Sequence, residues 1–86
     1  MILKLFTQPK CPRCPPAEAL VEELETGNWK LKIEKHDVST VEGLTEASFY
    51  SVLSTPSLIL CDNKGKEIKS WRDGIPSLKE LLREIK

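Results

Sequence analysis

The sequence predicts an α/β fold: a four-stranded mixed sheet with helices on both faces, in the order β-α-β-α-β-β-α. Three observations support it. Runs that alternate like strands, or are continuously apolar, exchange with runs whose apolar residues return at helical spacing. A helix separates the first two strands, which makes them parallel with a right-handed crossover. The last two strands are joined by Asp62-Asn63-Lys64-Gly65, whose turn chemistry makes an antiparallel hairpin.

Met1–Phe6 is apolar except for Lys4 and is bounded by Gln8-Pro9, so it reads as the first strand. The period then changes: Ala17, Leu20, Val21 and Leu24 recur at helical spacing, with Glu18, Glu22, Glu23 and Glu25 on the other face and Gly27-Asn28 as a stop. Leu31–Val38 alternates at its start and reads as a half-exposed strand. In Ser39-Thr40-Val41-Glu42, Ser39 and Glu42 fit a capping box for a short helix through Leu44, Ala47 and Phe49, which ends before Thr55-Pro56. Ser57–Cys61 is continuously apolar, as suits a central strand covered on both faces. Lys66–Arg72 returns as its more polar partner. Ser77-Leu78-Lys79-Glu80 is a second capping box, opening a helix with a Leu78, Leu81, Leu82, Ile85 stripe.

The 86 residues, 40% hydrophobic and 30% charged, suit a single domain, 1–86, without an internal linker. Thirteen basic and thirteen acidic residues cancel and are interspersed, so no net field favours nucleic acid or anionic lipid. The N-terminus has neither a signal-peptide pattern nor a membrane span, which points to a cytoplasmic protein, and a monomer is expected. Three cysteines is an odd number, which argues against a secreted disulfide framework.

That leaves Lys10-Cys11-Pro12-Arg13-Cys14-Pro15-Pro16, with two thiols three apart where a helix begins. Three chemistries fit the residues: half of a metal site, a structural staple, and a dithiol that makes and breaks a disulfide. At the strand-to-helix junction the Cys11 sulfur is near free backbone N–H groups and the positive end of the helix dipole. Lys10 and Arg13 add positive charge, and such settings lower a thiol from about 8.5 into a range of roughly 3.5 to 7.5. Cys11 is then the nucleophile, and Pro12 suits the first helical position. Cys14, one turn on and more enclosed, is the resolving thiol, at a Cα separation of roughly 5.5 to 6 Å that a disulfide can bridge. Pro15 and Pro16 would delete hydrogen bonds in a helix running from Pro12, so the regular helix is expected to restart at Pro15.

Cys11-Pro12-Arg13-Cys14 resembles the CPxC dithiol of glutaredoxins and protein disulfide oxidoreductases, and Thr55-Pro56 resembles the cis-proline that thioredoxin-fold proteins place beside it. The element order is similar to the minimal, glutaredoxin-like thioredoxin fold over essentially the whole chain. The resemblance implies a small electron-transferring oxidoreductase with catalytic Cys11 and Cys14, a cis Pro56, and a substrate chain lying against Thr55, Pro56, Pro12 and Arg13. It implies thiol–disulfide exchange on protein disulfides without a cofactor, the pair being reset by a thioredoxin reductase or by glutathione. Lys10 stands where thioredoxins have a Trp and Leu5 where they have a buried acid. Gln8 and Asp73-Gly74 stand where glutathione-binding glutaredoxins have a lysine and a Gly-Gly followed by Asp.

Other readings accompany this one. A staple between residues three apart closes too short a loop to remove much unfolded-state entropy. Cys11, Cys14, Cys61 and His36 are enough in number for a zinc site, as a metal carrier or non-catalytic binding module, although Cys61 lies in an apolar run on a different strand from His36. Cys61 reads as a small buried hydrophobe, His36 as a strand-end surface residue, Trp29 as boundary or core packing, and Trp71 as packing or the rim of a substrate groove.

Overall fold

The computed structural model describes residues 1–27, 31–72 and 74–85. Asn28, Trp29 and Asp73, which the sequence reading used, lie outside them. The elements are β1 (Ile2–Thr7), α1 (Cys14–Thr26), β2 (Lys32–Asp37), α2 (Val41–Phe49), β3 (Ser57–Cys61), β4 (Glu67–Trp71) and α3 (Leu78–Ile85). The order is the expected one, and the four strands form a single mixed sheet ordered β2-β1-β3-β4. β1 runs parallel to β2, antiparallel to β3, and β3 antiparallel to β4.

Side chains alternate across a strand, so the two central strands feed two cores. Leu3, Leu5, Leu58 and Leu60 face Ala17, Val21 and Leu24 of α1 and Leu81 of α3. Phe6, Ile59 and Cys61 face Ala47 of α2 with Tyr50 and Val52 beyond it. β3 is buried at all five positions, as its unbroken apolar run predicts. Each fully buried aliphatic or aromatic side chain contributes about 1.5–3 kcal/mol, so the cores are the main term fixing the sheet between its helices.

Helix boundaries differ from the sequence expectation at two places. Pro12 does not open α1: it lies in the turn ahead, and the helix begins at Cys14, one residue before the expected Pro15. Pro15 and Pro16 then fall in the first turn, where amides have no intrahelical acceptor, so their missing donors cost nothing. α2 is capped by Thr40, not Ser39. The Thr40 hydroxyl accepts from the Gly43 amide at 3.0 Å, while Ser39 donates through both its amide and its hydroxyl to Asp37 Oδ1. A carboxylate two residues back is the stronger acceptor and takes Ser39 out of the capping position.

α2 ends in a left-handed residue, Ser51 (φ 56°), with the Val52 amide donating to the Ala47 carbonyl at 2.8 Å. In the hairpin, Asp62 Oδ1 accepts from the amides of Lys64 and Lys66, and Gly65 takes φ 86°. The capping box of α3 is present: the Glu80 amide donates to Ser77 Oγ at 3.1 Å and the Ser77 amide donates to Glu80 Oε1 at 3.4 Å. Among the described residues no helix is long and apolar enough to cross a membrane.

Candidate active site

β1 ends at Thr7 and delivers the chain, through a turn in which Lys10 adopts φ 61°, to Cys11. Cys11 and Cys14 are joined as a disulfide with a Cα separation of 5.4 Å, and the Cys14 amide donates to the Cys11 carbonyl at 3.3 Å. The two sulfurs are not equivalent. Cys14 is the first residue of α1 and is 2% exposed, whereas Cys11 is half-buried in the turn ahead of it. Lys10, Pro12 and Arg13 are exposed around Cys11, and the Arg13 side chain makes no cap to the helix.

The Thr55–Pro56 peptide is cis. Because Phe6 pairs with Ser57, the residue before Ser57 lies alongside the end of β1, at the same end of the sheet as the dithiol. Pro56 is buried and Thr55 half-buried, and Thr55 Oγ1 is an enclosed polar atom without a partner among the described residues. Next to this segment is a recess of about 150 Å³, lined by Gln8, Val38, Leu44, Leu53 and Thr55 among others. Leu53 is 97% exposed on its rim.

The zinc set is not assembled. Cys61 pairs with Ile2 at the start of β1, while Cys11 follows its far end, a separation on the order of 15 Å at the usual strand rise. Cys61 is a fully buried thiol, held up by burial, with the Tyr50 hydroxyl and the Lys4 charge acting against that. His36 is half-buried at the end of β2, not a fully exposed surface residue: its ring stacks on Phe6 at 5.2 Å between centroids, and Nε2 lies 3.0 Å from Glu34 Oε1. Glu34, two positions away, is the orienting group that the sequence reading did not find. Trp71 is half-buried and packs on the α1/α3 core.

Two polar networks were also missed. Lys4 is 5% exposed on the α2 face of β1 and donates to Glu34 Oε1 at 2.7 Å, with Glu46 Oε2 at 3.6 Å and the Tyr50 ring centroid at 5.3 Å. Burial works against the charged lysine, but the Glu34 hydrogen bond and the charges of Glu34 and Glu46 outweigh it and raise its pKa. Glu34, His36 and Glu46 offer metal-ligating atoms within 4.8 Å of one another, but the Lys4 ammonium already lies against both carboxylates. The visible signal was a lysine inside an apolar strand. The second network surrounds Arg72, whose guanidinium meets Glu67, Ser70 and the Tyr50 carbonyl.

No family model matches the chain. It is 35% identical to a probable thioredoxin of Archaeoglobus fulgidus, over 100% of this chain and 90% of the relative. It is 29% identical to the thioredoxin of Methanocaldococcus jannaschii, over 67% of each. Among solved structures, a point mutant of a thioredoxin from Halobacterium salinarum superposes with a TM-score of 0.82 at 27% identity, covering 98% of this chain and 70% of that one. A sheet of this topology with a CxxC cysteine pair at the end of its first strand defines a thiol–disulfide oxidoreductase. The chain belongs to the thioredoxin family.

Proposed function

We propose that this chain is a single-domain, monomeric reductant of protein disulfides, with Cys11 as attacking thiol and Cys14 as resolving thiol. The observation that carries this reading is the unequal exposure of the pair: Cys14 is enclosed at the start of α1, and Cys11 is the sulfur an incoming disulfide can reach. In the reduced protein the Cys11 thiolate attacks one sulfur of the substrate disulfide and expels the other as a thiolate, which takes a proton. Cys14, as thiolate, then attacks Cys11 Sγ, forms the intramolecular disulfide and expels the second substrate sulfur. Two electrons and two protons pass to the substrate.

Lys10 and Arg13 favour the thiolate at Cys11. Thr55 and Pro56 form one wall for the substrate backbone and Pro12 and Arg13 the other. The recess beside Thr55, with Leu53 at its rim, offers apolar surface to a polypeptide. A thioredoxin reductase or glutathione resets the pair from outside.

Insulin reduction by dithiothreitol, followed as turbidity, tests the assignment. Wild type accelerates it and Cys11→Ser abolishes the acceleration. Acceleration surviving in Cys11→Ser removes Cys11 as nucleophile. Re-reduction of the oxidised protein by glutathione with its reductase, against a thioredoxin reductase system, identifies the donor.

A further inference from the structure

The Thr55–Pro56 wall hangs from a segment, residues 50–54, that has no regular secondary structure and exposes Ser51, Leu53 and Ser54 to solvent. Buried Tyr50 and Val52, the Val52 amide bond to Ala47 and the Tyr50 hydroxyl bond to the Gly65 carbonyl hold its first half, and one residue, Arg72, adds bonds at both ends. Arg72, just past β4, donates through Nη2 to the Tyr50 carbonyl at 2.7 Å, while its own carbonyl accepts from Ser54 Oγ at 3.2 Å. The Ser54 carbonyl in turn accepts from the buried Ser57 hydroxyl at 2.7 Å.

The guanidinium is itself braced. Nη2 meets Glu67 Oε1 at 2.8 Å, Nη1 meets Glu67 Oε2 at 3.3 Å, and Nη1 also donates to Ser70 Oγ. A planar fork can satisfy a carboxylate and a carbonyl together in fixed geometry, which an ammonium on a flexible stem cannot do. The Tyr50 carbonyl is among the last of α2, so the positive group also complements that end of the helix.

We propose that Arg72 is a positioning residue for the Thr55–Pro56 wall, setting the place at which a polypeptide disulfide is held over Cys11. This rests on the reading of Thr55 and Pro56 as the substrate wall given above. A disulfide too small to lie along the wall does not depend on it, whereas a polypeptide that lies along it loses binding when the wall is displaced, which raises KM and leaves kcat nearly unchanged.

The test compares insulin with 5,5′-dithiobis(2-nitrobenzoate) as disulfides for wild type, Arg72→Met, Arg72→Lys and Glu67→Ala. Arg72→Met raises KM for insulin roughly tenfold with kcat within about twofold, and leaves the small disulfide at the wild-type rate. Arg72→Lys recovers less than half of that loss. Glu67→Ala moves in the same direction by a smaller factor and speeds amide exchange at Leu53–Thr55. Equal losses on both disulfides, or an unchanged KM for insulin, overturn the proposal. If Arg72→Met does not fold, the KM and exchange rates of Glu67→Ala decide, and wild-type values in both overturn it. Failure of the parent reading is separate: wild type would then not reduce insulin, or Cys11→Ser would.

Discussion

The Lys4 ammonium is 2.7 Å from Glu34 Oε1 on a central strand where the lysine is only 5% exposed, while the Glu34 and Glu46 side chains keep 24% and 31% of their surface. The lysine therefore depends on the carboxylates more than they depend on it. Glu34→Gln keeps a neutral acceptor for Lys4 but leaves Glu46, at 3.6 Å, as the nearest counter-charge of a desolvated ammonium, and costs about 1.5–3 kcal/mol. Lys4→Met removes the buried charge, leaves two carboxylates that can reach water, and costs less. Urea unfolding ranks the two, and the opposite order would contradict this account.

The same pair gives a pH dependence. The Lys4 hydrogen bond holds the Glu34 carboxyl below its ordinary value of 4.5, against the effect of burial and with help from His36. A carboxyl depressed by folding contributes stability that is present above the unfolded pKa and lost as pH falls through the folded one. Wild type should lose stability steadily below about pH 4.5, with Glu34→Gln losing less over the same interval. Lys4, whose pKa is raised, contributes fully below 10.5, and that contribution is lost as pH rises through its folded value. Urea midpoints of the two proteins from pH 7 to pH 3 measure the acid difference.

Gly43 lies where a Cβ would overlap the Asp37 carbonyl oxygen. Backbone cannot yield as a flexible side chain can, so Gly43→Ala must push α2 off β2, at roughly 2–4 kcal/mol. Ser51, at φ 56° in the α2 C-terminal turn, predicts the opposite sign: Ser51→Gly should gain roughly 0.5–1 kcal/mol. Thermal or urea unfolding of the two variants checks both signs.

Cys61 is fully buried and its thiol is pushed up by that burial. In the oxidised protein, iodoacetamide should label no cysteine at neutral pH until urea unfolds the chain, and then one. Prompt labelling in native buffer would mean that Cys61 is open to solvent.

Cys14→Ser should trap a mixed disulfide between Cys11 and its substrate, because the remaining thiol, Cys61, is buried at the far end of β1 and cannot reach Cys11 to release it. Non-reducing gel electrophoresis after reaction with a peptide disulfide reads this directly. A stable adduct formed by Cys11→Ser instead would reverse the two roles.

The sequence was most legible where local chemistry decides structure. The unbroken apolar run Ser57–Cys61 matches β3 residue for residue, the Ser77/Glu80 box opens α3, and the dithiol lies at the β1–α1 junction. Legibility falls where partners are distant in sequence. Ser39 lost the α2 cap to Thr40 because Asp37 had bound it, a competition that spacing does not resolve. Lys4 finds Glu34, 30 positions away, only when β2 pairs with β1, and Glu46, 42 positions away, only once α2 folds onto the sheet; Arg72 likewise finds Tyr50, across 22, only once α2 is in place. The zinc set failed for the converse reason, since the register places Cys61 at the wrong end of β1.

The strand order leaves β2 and β4 outermost, each with one row of backbone groups unmatched by a neighbour, and each exposes charged side chains: Lys32 and Lys35 on one, Glu67 and Lys69 on the other. Such margins are templates on which a further strand can pair, and the charges along both make that edge-to-edge association between copies unfavourable.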